Sequence, residues 1–237
     1  MDNTIRPIAL MGAMDEEIRL LLDEMQHARS RKAAGIMYTE GMFRGRHVVV
    51  CRSGVGKVNA AAAAQILISE FRVQALIFTG VAGALHPELR IGDIVVSADS
   101  RQHDMDVSPL GYAPGEIPFH AESIFPADRR LIELAERSCR AEGASFRVGR
   151  VLSGDRFIAD RDDVRRLRDD FGGLCTEMEG AAVGQVCRMN DLPHVILRSM
   201  SDRGNGEAPA SFAEFTRTAS ARSFAIAAGI LERWEEA

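Results

Sequence analysis

Carboxylates and glycines recur wherever an apolar, strand-like run of this chain ends. GAMDEE follows the first run at 12–17, SGVGK follows at 53–57, GVAG at 80–83, EMEG at 177–180 and RSMSD at 198–202. In an open α/β sheet, ligands bind beyond the carboxyl ends of the strands. These groups therefore gather on one edge of the sheet. Glycine lets a backbone approach a ligand closely, and carboxylates beside it can clamp the ligand or move its protons. Taken singly, each piece also has a plainer reading. Asp15, Glu16 and Glu17 suit the positive end of a helix. Glu177 and Glu179, two residues apart, point to the same side of an extended segment, as a solvated pair or as a ligand clamp. Asp202 can close a turn. Gly54-Val55-Gly56-Lys57 has neither the spacing of a P-loop nor that of a Rossmann fingerprint.

The elements that must position these residues alternate between strand and helix. Apolar runs and hydrophobic periodicity predict strands at 8–13, 36–43, 47–52, 75–79, 93–97, 150–153, 174–177 and 194–200. Helices are predicted at 15–25, 56–71, 128–142, 160–171, 180–189 and 211–236. Arg44-Gly45 reads as a hairpin turn, and Asp128 as a helix cap. Thr79 is expected to lead into a glycine turn. The alternation implies a three-layer α/β/α arrangement around a central mixed β-sheet, and no linker or composition shift divides residues 1–237, which read as one domain. The segment 100–125 stands apart, with Pro109, Gly111, Pro114, Gly115 and Pro118 among Leu110, Tyr112, Ile117 and Phe119. A connection that long and irregular carries function or a contact.

Composition narrows the classes further. The 237 residues are 46% hydrophobic and 27% charged, the balance of an ordinary globular protein. A net charge of −5 speaks against nucleic acid and anionic membrane as partners. Cys51, Cys139, Cys175 and Cys187 lack any CxxC spacing and read as buried free thiols in a reducing compartment. The N-terminus has no signal-peptide pattern, and no apolar stretch is long enough to span a membrane. The expected location is cytoplasmic. His103 reads as structural. His27, His47, His86, His120 and His194 show no metal-ligand spacing. No metal and no organic cofactor is expected.

As an ordered set, GAMDEE (12–17), SGVGKVNAA (53–61), TGVAGAL (79–85), GDIVVS (92–97), HDMDV (103–107), SGDRFI (153–158), EMEGAAV (177–183) and RSMSD (198–202) closely resemble the purine nucleoside phosphorylase/hydrolase superfamily. The best match within it is the 5′-methylthioadenosine/S-adenosylhomocysteine nucleosidase family. The resemblance spans nearly the whole chain. It implies a phosphorylase/hydrolase-like fold and hydrolysis of the N-glycosidic bond of an adenine thionucleoside. That reaction has two electrostatic problems, a poor anionic leaving group and a ribosyl cation. Carboxyl groups answer both, by loose analogy with glycosidases.

By the same resemblance, Asp202 is the acid at adenine N7, steadied by Ser201, and needs a raised pKa. Glu17 is the base for the attacking water, with Glu177 helping to order it. Glu179 accepts hydrogen bonds from the ribose hydroxyls and Met178 packs on the sugar. Phe157 stacks on adenine while the Ile158 backbone reads its edge; Ala82 and Gly83 also line the site. Arg198 supports the carboxylates from behind. Met14, Val55 and Phe212 face the 5′-substituent, where a homodimer mate adds Val107, Leu110 and Pro118 from its 100–125 segment. Val81, Leu110 and Arg203-Gly204-Asn205-Gly206 depart from related sequences and bear on the 5′-group preference. Three alternatives remain: a futalosine-type nucleoside hydrolase, a purine nucleoside phosphorylase using phosphate, and a non-catalytic nucleoside-binding protein. The acidic 12–17 turn disfavours phosphate.

Overall fold

The computed structural model describes residues 6–202 and 208–235. Ten strands form one sheet: β1 (Ile8–Gly12), β2 (Gln26–Ala33), β3 (Ile36–Phe43), β4 (Arg46–Arg52), β5 (Ala75–Ala84), β6 (Ile94–Gln102), β7 (Phe125–Pro126), β8 (Phe146–Ser153), β9 (Gly173–Glu177) and β10 (His194–Asp202). Six α-helices accompany them: α1 (Asp15–Asp23), α2 (Lys57–Ser69), α3 (Arg129–Ala141), α4 (Arg161–Phe171), α5 (Gly180–Met189) and α6 (Ala208–Glu232).

The sheet is mixed, in the order β10-β6-β8-β9-β5-β1-β4-β3-β2, with β7 on the flank of β6. A further pairing of β10 with β5 rolls one end of it closed. β9 meets β5 antiparallel through only two residue pairs, Gly83 with Thr176 and Ala84 with Cys175. That crossing brings the carboxyl ends of β5 and β9 together, where the site forms. One core, built on Met11, Phe78, Ile196 and the alanines of α2, fills the side of α2 and α5. A second, including Ile77, Val195, Leu134 and Ile230, lies under α1, α3 and α6. A small third cluster of Leu85, Leu152, Ile158, Leu167 and Phe171 seats α4. The helices thus flank a central sheet, as the alternation implies.

Most predicted elements are present, with shifted ends. Arg44 and Gly45 both adopt positive φ, at 47° and 71°, in the β3–β4 hairpin, a turn geometry that matches strand twist. Asp128 caps α3 by accepting from Leu131 N at 2.9 Å. The expected glycine turn after Thr79 is a correction: Gly80–Gly83 continue β5, paired with Arg198–Asp202 of β10, and Gly80 and Gly83 leave room for buried side chains against the strand. β2 has no counterpart in the predicted elements. It is an exposed edge strand, QHARSRKA, so it carries no alternation of apolar residues to reveal it. α6 starts at Ala208, three residues before the predicted 211, and ends at Glu232. Segment 100–125 holds the end of β6, a 3₁₀ turn at Ser108–Leu110 and the start of β7. Arg203-Gly204-Asn205-Gly206 lies outside the described residues. The four cysteines are free and buried, as their spacing suggests. Among the described residues, no helix is long and apolar enough to cross a membrane, and no group of three or more His, Cys, Asp or Glu side chains is placed to hold a metal ion.

Candidate active site

A cavity of about 280 Å³ opens at the carboxyl ends of β1, β5, β9 and β10. Its size suits a small organic ligand. Among the described residues lining it are Glu17 from the first turn of α1, Glu177 and Glu179 from the β9–α5 junction and Asp202 from the end of β10, with Met14, Val55, Phe157 and Phe212 supplying apolar walls. Ala82, Gly83, Ile158, Met178 and Ser201 complete the match to the sequence-based set. Ala13, Val81, Arg156 and Thr176 also line it.

Of the three acidic residues opening α1, only Glu17 turns inward. Asp15 is exposed and pairs with Arg52 at 2.9 Å, whereas Glu17 is 4% exposed. Its carboxylate accepts three backbone hydrogen bonds. Oε2 takes Ala13 N at 2.7 Å and Met14 N at 2.9 Å, and Oε1 takes Val81 N at 2.9 Å. The Met14 bond is the reach-back of an acidic residue at the third helical position. Val81 thus serves through its N–H, which any residue except proline would supply, so its departure from related sequences leaves this bond unchanged. Burial pushes the Glu17 carboxyl above its usual range, against the pull of Arg198 and the three N–H groups. A carboxylate held this way is fixed in direction and kept basic, two properties a general base needs.

Gly80 makes this arrangement possible. A Cβ there would collide with Glu17 Oε1 and lie 2.6 Å from Arg198 Nη1. The glycine is required for space, not for a turn, and its place in TGVAGAL was the available signal.

Arg198 is buried behind the carboxylates and does not line the cavity. Its Nη2 donates to Glu177 Oε2 at 2.5 Å and lies 3.9 Å from Glu179 Oε2, and its guanidinium sits 4.1 Å over the Phe78 ring. Glu177 is the most heavily bonded of the acids. Besides Arg198 it accepts from Ser153 Oγ, from Gly180 N at 2.8 Å and from Glu179 N at 3.2 Å. Ser153 Oγ in turn accepts from Ala181 N at 2.7 Å, so Ser153 and Glu177 together satisfy the amino end of α5.

Glu179 keeps more of its capacity. Gly56 N donates to its Oε1 at 2.8 Å. Desolvation and the neighbouring Glu177 raise its pKa to about 8, against the pull of Arg198 and Gly56 N. Asp202 ends β10 beside a register irregularity between Met200 and Asp202, the kind of bulge that re-aims a side chain. Its Oδ2 accepts from Ser201 Oγ at 3.0 Å, and a Cβ on Gly83 would lie 2.9 Å from Oδ1. Phe157 and Phe212 meet edge to face, centroids 5.7 Å apart and planes at 85°. Ile158 turns its side chain into the α4 cluster, leaving its backbone beside the cavity.

Val107, Leu110 and Pro118 lie away from this cavity within the single chain. Leu110 is 75% exposed and Phe119 99% exposed. His103 is buried and packs against Gly154.

Residues 7–232 match the model of the phosphorylase superfamily. A 5′-methylthioadenosine/S-adenosylhomocysteine nucleosidase from Bacillus cereus (strain B4264) is 39% identical over 227 residues, covering 95% of this chain and 98% of that protein. The crystal structure of a nucleosidase of the same name from Neisseria meningitidis, in complex with methylthio-immucillin-A, superposes with a TM-score of 0.92 at 38% identity, covering 96% of this chain and 99% of the other. A Streptococcus pneumoniae counterpart with a transition-state inhibitor gives 0.90 at 32% identity, covering 95% and 98%.

Proposed function

The chain belongs to the phosphorylase superfamily, and from that premise we propose that it is a nucleosidase. It hydrolyses the N-glycosidic bond of 5′-methylthioadenosine and S-adenosylhomocysteine, releasing adenine and the thioribose. One observation carries the reading. Two carboxyl groups, Glu17 from the first turn of α1 and Asp202 from the end of β10, line one largely apolar cavity.

In this mechanism Asp202 donates a proton to N7, so that the C1′–N9 bond breaks with adenine leaving neutral. Water adds its oxygen to C1′ and gives a proton to Glu17. The carboxylates beside the sugar offset the charge that develops on the ribosyl ring. Glu179 accepts from the ribose hydroxyls, Met178 packs on the sugar, and Glu177 and Arg198 hold the acidic cluster in register. Adenine lies against Phe157, its edge read by the Ile158 backbone beside Ala82 and Gly83. Met14, Val55 and Phe212 face the 5′-substituent. Water, and not phosphate, fits the charges. Among the described lining residues Arg156 is the one cation, and it is tied to Asp163. Arg198 is engaged with Glu177. A phosphate dianion would meet carboxylates instead.

The working enzyme is read as a homodimer. The exposed Leu110 and Phe119 on one irregular segment form an apolar surface that a two-fold mate would cover. In that dimer Val107, Leu110 and Pro118 of the partner subunit close the 5′ side of the pocket. Free buried thiols suit the cytoplasm. Adenine release across 5′-methylthioadenosine, S-adenosylhomocysteine and 5′-deoxyadenosine tests the assignment, with turnover expected on the thionucleosides. Turnover of a 6-oxopurine nucleoside alone would overturn it. Sedimentation tests the dimer: it should run at about twice the 25.9 kDa chain mass, and a fully active monomer would remove the shared pocket.

A further inference from the structure

Three loops at the strand ends meet on one ammonium group beside the pocket. Lys57 begins α2; its side chain is 17% exposed, and its Nζ lies 2.6 Å from Asp104 Oδ1 and 4.0 Å from Asp155 Oδ2. It also donates to Gln102 Oε1 at 3.0 Å, and Gln102 Nε2 donates to Gln185 Oε1 at 2.7 Å on α5. The backbone closes the same knot. Lys57 N donates to Asp155 Oδ1 at 2.8 Å, and Asp155 N donates to Asp104 Oδ2 at 2.9 Å. The turn after β4, the end of β6 and the turn after β8 are therefore bound through Lys57 and two aspartates.

The residue before Lys57 is Gly56, whose N–H holds Glu179 Oε1 at 2.8 Å. Gly56 has φ +98°, a conformation that side chains resist, and a Cβ there would lie 3.2 Å from Asp155 Oδ1. The direction of its N–H thus depends on the turn staying closed against Asp155. Without the ammonium, the part-buried Asp104 and the solvent-exposed Asp155 would face each other as like charges with no cation between them, and the turn would loosen. Against the desolvation of that position, the Lys57 hydrogen bond and the Asp155 N–H hold the Asp104 carboxyl below its usual range.

We propose that Lys57 is a positioning residue of this site: through the Asp104–Asp155 knot it fixes the Gly56 N–H, and with it the Glu179 carboxylate, in the orientation that receives the ribose hydroxyls. The proposal rests on the assignment of Glu179 to the ribose. It calls for no contact between Lys57 and substrate.

The test compares kcat/KM for 5′-methylthioadenosine and its 3′-deoxy analogue. The variants are Lys57→Met, Lys57→Arg, Asp104→Asn, Glu179→Gln and the Lys57→Met/Glu179→Gln double variant, each with its melting curve. A hydrogen bond to a charged group has a net worth of about 1.5–3 kcal/mol, which converts to roughly ten- to hundredfold. Lys57→Met and Asp104→Asn should lose about that much on the ribose substrate and much less on the 3′-deoxy analogue, and Lys57→Arg should recover most of it. Once Glu179 is Gln, adding Lys57→Met should change little, because the two act as one unit. Equal losses on both substrates, or additive losses in the double variant, would mark Lys57 as merely structural and overturn the proposal. A wild-type enzyme that releases adenine equally well from both substrates would instead remove the ribose clamp itself.

Discussion

Arg198 Nη2 lies 2.5 Å from Glu177 Oε2, and the two side chains are 1% and 3% exposed. Removing one member of such a pair leaves the other charge buried and uncompensated. Arg198→Leu is therefore expected to destabilise the fold by about 3–5 kcal/mol in urea denaturation. Activity should fall even where the protein remains folded, because Glu17 and Glu179 lose the same cation. A stability change within experimental error would mean that the cluster is held by its backbone donors alone.

Glu17→Gln and Asp202→Asn should each lower turnover by roughly 10²–10⁴-fold, the span of a lost general base or acid. Glu17→Gln carries a second penalty: its amide nitrogen would face backbone donors, either Val81 N or both Ala13 N and Met14 N. Steady-state kinetics at saturating substrate checks both. Near-normal kcat in either variant would take that residue out of the mechanism.

Gly80→Ala should act on the same base from behind. The added methyl would strike Glu17 Oε1 and press on Arg198 Nη1. A fall in kcat well beyond the change in KM is expected, with the carboxylate displaced in a crystal structure of the variant. Unchanged kinetics would show that the strand yields and the carboxylate does not.

These contacts also mark how far the sequence could be read. The edge of the sheet that holds the site was legible because glycines and acids follow apolar runs, as at Gly12 and Glu177. The resemblance of eight ordered motifs then singled out Glu17 from Asp15 and Glu16, which composition alone could not do. Gly80 was misread as a turn because a glycine needed for space and one needed for a bend look alike in sequence. The closure of β10 on β5, and β2 on the far edge, stayed hidden: pairing between distant segments leaves no local period, and β2 has no buried face to create one. The Lys57 knot joins residues from three loops, a proximity that only the fold supplies.

The acidic cluster should also mark the stability of the ligand-free protein. Burial and the neighbouring Glu177 push the Glu179 carboxyl in the folded chain from its ordinary value of 4.5 up to about 8. Between those values the folded chain retains a proton that the unfolded chain has released, so stability from this residue is full below the window and is lost as pH rises through it. The wild-type melting temperature should therefore fall more steeply across that window than that of Glu179→Gln. Parallel curves for the two proteins would contradict the raised value.

The central claim is hydrolysis by water in a pocket whose charges exclude phosphate. Its most direct test is product analysis by mass spectrometry after 5′-methylthioadenosine is turned over with and without inorganic phosphate. Adenine and free methylthioribose at the same rate in both buffers is the expected result; methylthioribose 1-phosphate, or no turnover until phosphate is added, would contradict it.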